Sequence, residues 1–358
     1  MATSRLHLFI VLTVDAFTLI YSLHLLRQTR GEAAPSSVKH YVGSFLPSPS
    51  YEFEQEVDRG SHEKLAYATF LTGTTADASD SDSSHDRYFV ATRILAYQLL
   101  HAPETRTNRS ILFLVLVTDD ISQSKRDRLT KDGAIIVPVA YLQADTDWIK
   151  GEMPQWRDVM TKLRAWELTQ YSRILFLDGD TILTRPLDGV FDDPAAQSTL
   201  SLRHTNATID DEAPVPSTFV LATMPEANPF HAYPPTTANN DFKDPNYFNA
   251  GFFVFAPSRQ MFEVYTSLMK LPGRFNPRYP EQNLLDYAHR KEGNMAWRQL
   301  DTFWNIRFPS LKDYEGGVGS LHDKWWHPHM DQKLAGLYSS WRWKMEGFYE
   351  ALDAVRGD

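Results

Sequence analysis

The segment that most restricts the fold is Arg173–Thr181, RILFLDGDT, a strand-length run of bulky apolar residues that ends in Asp178-Gly179-Asp180. Side chains at positions i and i+2 of an extended chain point the same way. Two carboxylates therefore converge at the end of a strand, and in open α/β sheets the carboxyl edge is where ligands sit. Paired carboxylates suit a hard divalent cation, manganese or magnesium. Such an ion can bridge a diphosphate and neutralise charge on a leaving group.

The flanking sequence supplies the rest of an α/β fold. LAYATFLTG (Leu65–Gly73), SILFLVLVTDD and AIIVPVAYL read as strands, and YFNAGFFVFAP is a further apolar run. RYFVATRILAYQLL reads as a helix, KRDRLTKDG as a helix closed by its glycine, and DVMTKLRAWELTQY (Asp158–Tyr171) as a third helix. Strands alternating with helices predict a Rossmann-like, mostly parallel sheet flanked by helices. Thr74–Asp86 is polar and low in complexity, which predicts mobility. Ser201–Asp244, rich in Pro, Asn and Thr, reads as an inserted loop.

The N-terminus carries a separate signal. Leu6–Leu26 is mostly apolar and long enough to span a bilayer. Asp15 within it costs ~2.5–3.5 kcal/mol on insertion. The organisation expected is a tail and signal-anchor helix over 1–26, a Pro/Ser-rich stem over 27–61 and a catalytic domain over 62–358. That places a single-pass type II protein in the Golgi or another secretory membrane, its catalytic domain lumenal. The sequons at Asn108 and Asn206 agree with this. A net charge of −9 argues against a nucleic-acid partner, and the absence of cysteine removes thiolate chemistry.

Two enzyme classes use such a carboxylate pair. Phosphohydrolases of the haloacid-dehalogenase type carry Asp-x-Asp-x-Thr after a hydrophobic strand, and Asp178, Asp180 and Thr181 fit that pattern. The wider sequence instead resembles glycosyltransferase family 8, the glycogenin-like family with the GT-A fold. TKLRAWELTQYSRILFLDGDT (Thr161–Thr181) is similar to that family's approach to Asp-x-Asp. YFNAGFFVFAPS (Tyr247–Ser258), PEQNLLDY (Pro280–Tyr287) and LHDKWW (Leu321–Trp326) follow in the family's order. A phosphohydrolase explains none of the last three; a non-catalytic sugar-binding relative stays open.

The resemblance implies roles residue by residue. Asp178, Asp180 and His322 are the metal ligands; Gly179 lies between the carboxylates. Thr72 and Tyr88 hold uracil and ribose, Lys162 is a donor-binding cation, and Lys324 contacts the diphosphate. Asn249 and Gly251 line the sugar and acceptor pocket. Gln282, beside Glu281, lies under the reacting sugar face. The implied reaction is retaining, manganese-dependent transfer from a UDP-sugar to a glycan or glycoprotein, with the donor sugar and acceptor left open. Asp323 departs from the family's usual glycine and is expected to alter the diphosphate contact. The C-terminal tryptophans are core residues or, at Trp325-Trp326 and Trp341-x-Trp343, a platform for acceptor sugars.

Overall fold

The structure, a computed structural model, describes residues 63–73, 86–142, 148–149, 158–203 and 211–357. The anchor and stem segments and Thr74–His85 lie outside the described residues, and no described helix is long and apolar enough to cross a membrane. A compact unit spans Ser61–Ala351.

The strands are β1 (Leu65–Leu71), β2 (Leu112–Val117), β3 (Ile135–Pro138), β4 (Arg173–Leu177), β5 (Thr181–Leu183), β6 (Thr199–Leu200), β7 (Thr218–Phe219), β8 (Leu221–Pro225), β9 (Phe248–Phe255), β10 (Arg298–Gln299), β11 (Ile306–Arg307) and β12 (Ser320–His322). The helices are α1 (Arg87–Leu100), α2 (Gln123–Lys131), α3 (Arg259–Leu268), α4 (Pro280–Ala288), α5 (Leu311–Gly316) and α6 (Ala335–Arg356). Seven strands form the main sheet in the order β10-β8-β9-β4-β1-β2-β3. The mixed α/β class and the mostly parallel sheet with flanking helices match the sequence reading.

The sheet is buried on both faces, which is why its strands read as unbroken apolar runs. On β4, Ile174 and Phe176 pack with Trp166 and Tyr265, whereas Leu175 and Leu177 pack with Tyr67, Phe89 and Leu95. β9 is the exception to parallel pairing: it runs antiparallel to both β4 and β8. The chain between β8 and β9 returns to the same sheet edge without a crossover helix, and such a return forces antiparallel pairing. The expected loop Ser201–Asp244 contains β7 and the buried strand β8, masked in sequence by its Pro- and Thr-rich surroundings.

The third expected helix is a 3₁₀ helix, Val159–Glu167. Side chains three apart eclipse in a 3₁₀ helix. Met160, Leu163 and Trp166 therefore form one ridge, all three buried, with Trp166 stacked 5.6 Å from Phe253. This winding turns Lys162 towards the end of β4.

A small sheet, β11-β12-β5, adjoins the main one, and His322 on β12 is the register partner of Thr181 on β5. The Asp178-Gly179-Asp180 turn is thus the link between the last residue of β4 and the first of β5.

The loop between β8 and β9 is fastened to α5. His231 Nδ1 lies 2.6 Å from the Asn228 carbonyl and Nε2 3.2 Å from Asp313 Oδ1, with the ring buried. Both nitrogens face acceptors, so both bonds form together only on the imidazolium. Burial alone would lower the His231 pKa, but Asp313 and the Asn228 carbonyl outweigh it, helped by Asp241, and hold it above 6.5. A raised folded pKa gives stability that is complete below the unfolded pKa and is lost as pH rises through the folded one. His231→Ala is expected to cost ~1.5–3 kcal/mol at acidic pH. Thermal melts should show the gap from wild type narrowing as pH rises through the His231 pKa; a gap independent of pH would remove the charged pair.

Candidate active site

Asp178, Asp180 and His322 come together at the junction of the two sheets. His322 Nε2 is 3.3 Å from Asp180 Oδ1 and 3.8 Å from Asp178 Oδ2. One ligand atom from each residue lies within 4.8 Å of the others. Burial would raise the Asp180 pKa, yet the hydrogen bond and charge of His322, with Arg307 and Lys324, hold it far below the usual carboxylate range. Asp180 is therefore ionised at neutral pH. His322 is buried, and its Nδ1 has no hydrogen-bond partner among the described residues. Two oxygens from the turn between β4 and β5 and one imidazole nitrogen from β12 fit a divalent ion with nitrogen tolerance, such as manganese.

Close approach depends on Gly251. Its backbone carbonyl accepts from Asp178 N at 2.8 Å, locking β9 to the end of β4. A Cβ there would stand 2.1 Å from His322 Cε1 and 2.8 Å from Asp178 Oδ2. Gly179 is less confined: a Cβ would meet nothing nearer than Thr92 Oγ1 at 3.5 Å.

Lys162 joins the cluster to α4. Its ammonium lies 2.7 Å from Asp178 Oδ1 and 3.1 Å from Glu281 Oε1. Burial favours the neutral amine, but the two carboxylates outweigh it and raise the Lys162 pKa, so the cation persists. Gln282 is fixed at both ends: Oε1 accepts from Ala250 N (3.0 Å) and Asn249 Nδ2 (3.3 Å), and Nε2 donates to the Tyr247 hydroxyl. Asn249 Oδ1 in turn accepts from Gly251 N at 3.0 Å.

Tyr88, in the first turn of α1, forms the opposite wall. Burial first, then the charges of Asp180 and Asp178, raise its phenol pKa well above 10.0. Its ring meets Trp326 edge-on at 5.0 Å. The Lys324 ammonium lies 6.0 Å above the Trp326 ring. Thr72 stands buried at the carboxyl end of β1, beside Tyr141.

Asp323 is fully buried and turned away from the cluster: its carboxylate accepts from Lys324 N and from His329 N and Nδ1. It shapes the loop after β12. Trp341 is buried and Trp343 exposed; Arg342 lies over both Trp325 and Trp343, and Trp325 packs edge-on against Trp326 and donates to the Arg87 carbonyl. Arg307 has no counterpart in the sequence reading. It donates to the His322 carbonyl at 3.4 Å, and its charge acts on both Asp180 and Tyr88. A lone arginine in a two-residue strand carries no motif; only the pairing of β11 with β12 reveals it.

The model of the family described as glycosyl transferase family 8 matches residues 83–317. An uncharacterised protein of Schizosaccharomyces pombe is 25% identical over 345 residues, covering 89% of this chain and 86% of its own. Glycogenin-1 of Homo sapiens is 31% identical over 112 residues, covering 31% of each chain. Among solved structures, the galactosyltransferase LgtC in complex with donor and acceptor sugar analogs is 13% identical, with a TM-score of 0.46, covering 78% of this chain and 95% of its own.

Proposed function

The chain belongs to glycosyl transferase family 8, and on that footing we propose that it is a retaining, manganese-dependent enzyme moving a sugar from a UDP-sugar to a glycan or glycoprotein acceptor. The observation that carries this reading is the Asp178–Asp180–His322 cluster at the carboxyl edge of the sheet, with cations on its flanks. We also propose a membrane-anchored, lumenal setting, for which the apolar Leu6–Leu26 segment is the support.

When bound, the divalent ion supplies charge neutralisation for the departing diphosphate. The protein's own residues do the rest. Arg307 and Lys324 add positive charge beside Asp180, where the leaving group's negative charge develops. Tyr88 closes the nucleotide wall. Lys162 holds Asp178 and Glu281 as a balanced set, which leaves Glu281 ion-paired and a poor nucleophile. Gln282, an amide, is a poorer one. That favours front-face attack, with the rigidly held Gln282 dipole stabilising the developing cation. The same geometry disfavours phosphohydrolase chemistry, which needs a free attacking carboxylate at Asp178.

The test is UDP release from a panel of UDP-sugars with manganese, set against phosphate release from p-nitrophenyl phosphate. Phosphate release without UDP release or UDP binding would overturn the reading. Within that assay, Gln282→Ala is expected to lower turnover about 10²-fold while UDP affinity changes little. Equal losses in rate and UDP affinity would assign Gln282 to the nucleotide instead.

A further inference from the structure

Beyond the cluster, the loop between β8 and β9 faces β10 at the edge of the main sheet across an open groove of about 770 Å³. That volume lies in the range of small-ligand sites, about 300–1,000 Å³. Pro235, Phe242 and Thr302 line this groove and also a narrow seam that reaches Asn249 and Arg307. The groove therefore shares its wall with the two residues flanking the catalytic cluster. We propose that it holds the body of a neutral oligosaccharide acceptor, of which only the terminal residue reaches the cluster. This rests on the transferase reading above.

The lining has the amphipathic character a saccharide needs. Pro194 is exposed and offers apolar surface to sugar C–H groups, while Pro235 and Phe242 are buried in the groove wall. Thr237, Gln299 and Thr302 offer neutral donors and acceptors, and among the described residues their side chains make no intramolecular hydrogen bond. The charged groups are already committed. Arg298 donates to Thr199 Oγ1 at 3.1 Å. Asp193 accepts from Asp301 N and Trp304 Nε1, and Asp301 accepts from Phe303 N. Against the single cation Arg298 the lining sets two carboxylates, Asp193 and Asp301, which disfavours a phosphate or an acidic glycan. A peptide strand is disfavoured as well, because β10 offers only Arg298–Gln299 as a ladder.

The groove's loop wall is held by the His231–Asp313 pair, so its shape is set before the acceptor arrives. Such preorganisation reduces the ordering cost of binding. Gln299 and Thr237 are exposed, so a tryptophan at either position can fill the groove without entering the core.

The experiment probes an array of neutral oligosaccharides, their mono- and disaccharide units, and sugar-free peptides with the full chain in the presence of UDP and manganese. Gln299→Trp and Thr237→Trp are compared with wild type, with melting temperature and UDP calorimetry as controls. Expected is binding of oligosaccharides at least about tenfold tighter than of their short units. Both variants should lose at least about tenfold of it at unchanged melting temperature and UDP affinity. Binding that ignores glycan length, that both variants keep, or that goes to peptides alone would overturn the proposal, as would no binding to any glycan. If UDP binding fails while length-dependent glycan binding and its loss in the variants persist, the donor reading falls and the groove assignment stands.

Discussion

Gly251→Ala is expected to abolish turnover, by at least about 10²-fold, in a protein that still folds. The added methyl would stand 2.1 Å from His322 Cε1, 2.8 Å from Asp178 Oδ2 and 2.8 Å from Asn249 Oδ1. The backbone cannot retreat, because Gly251 O is bonded to Asp178 N. The imidazole cannot retreat cheaply either, since His322 is buried on a strand paired on both sides. The ring and the Asp178 carboxylate must therefore separate, and the three ligand atoms no longer share one point. Overpacking of this kind typically costs ~1–3 kcal/mol of stability, which a domain of this size survives. Gly179→Ala is the control. A methyl there makes only ordinary contact at 3.5 Å, and Gly179 has no left-handed backbone to protect. Its loss should stay within about tenfold. Assays of UDP release with parallel thermal melts decide the matter. Comparable activity in the two variants would show that the cluster does not need its close approach.

His322→Ala should carry the second largest effect. Removing the imidazole leaves two carboxylates, both oxygen ligands, and takes away the only nitrogen among them. Manganese-dependent UDP affinity is expected to fall at least about 10²-fold, a loss no smaller than those seen when residues that merely support metal ligands are removed. The wild type should favour manganese over magnesium, and the variant should lose that preference, because nitrogen ligands favour the transition ion. The fold should hold, since β12 pairs through its backbone with β5 and β11. Calorimetry of UDP with each metal reads both effects. Undiminished manganese dependence in His322→Ala would remove it from the metal site.

Much of this arrangement was legible where local chemistry and pattern agree. β1, β2, β4 and α1 follow from apolar runs and helical spacing, and α1 begins at Arg87 because Asp86 caps it through the Phe89 N–H. The carboxylate pair was visible as Asp-x-Asp at a strand end, although Asp178 and Asp180 lie in the turn after β4 and converge through that turn, not through strand alternation. What escaped depends on non-local pairing. The direction of β9 is set by which edge the chain returns to, and nothing in FNAGFFVF encodes that. The 3₁₀ winding at Val159–Glu167 arises from tertiary contacts of Met160, Leu163 and Trp166 with the sheet. The place of Asp323 between His322 and Lys324 suggests an altered diphosphate contact, but its buried carboxylate answers to His329. His322 itself was reached only through the resemblance, since no local rule links it to Asp180.

The junction where the Asp178-Gly179-Asp180 turn passes from β4 to β5 has a consequence for the order of assembly. Both carboxylates belong to the main sheet's edge, whereas the imidazole arrives with β12, a strand from the far end of the chain. A growing polypeptide that has emerged only as far as Gly317 carries nearly every motif of the site and still has no imidazole to offer. If the proposed ion site holds, competence to bind a divalent ion marks the closing of the smaller sheet, and ion uptake during refolding would report that late event directly, as a clock built into the turn.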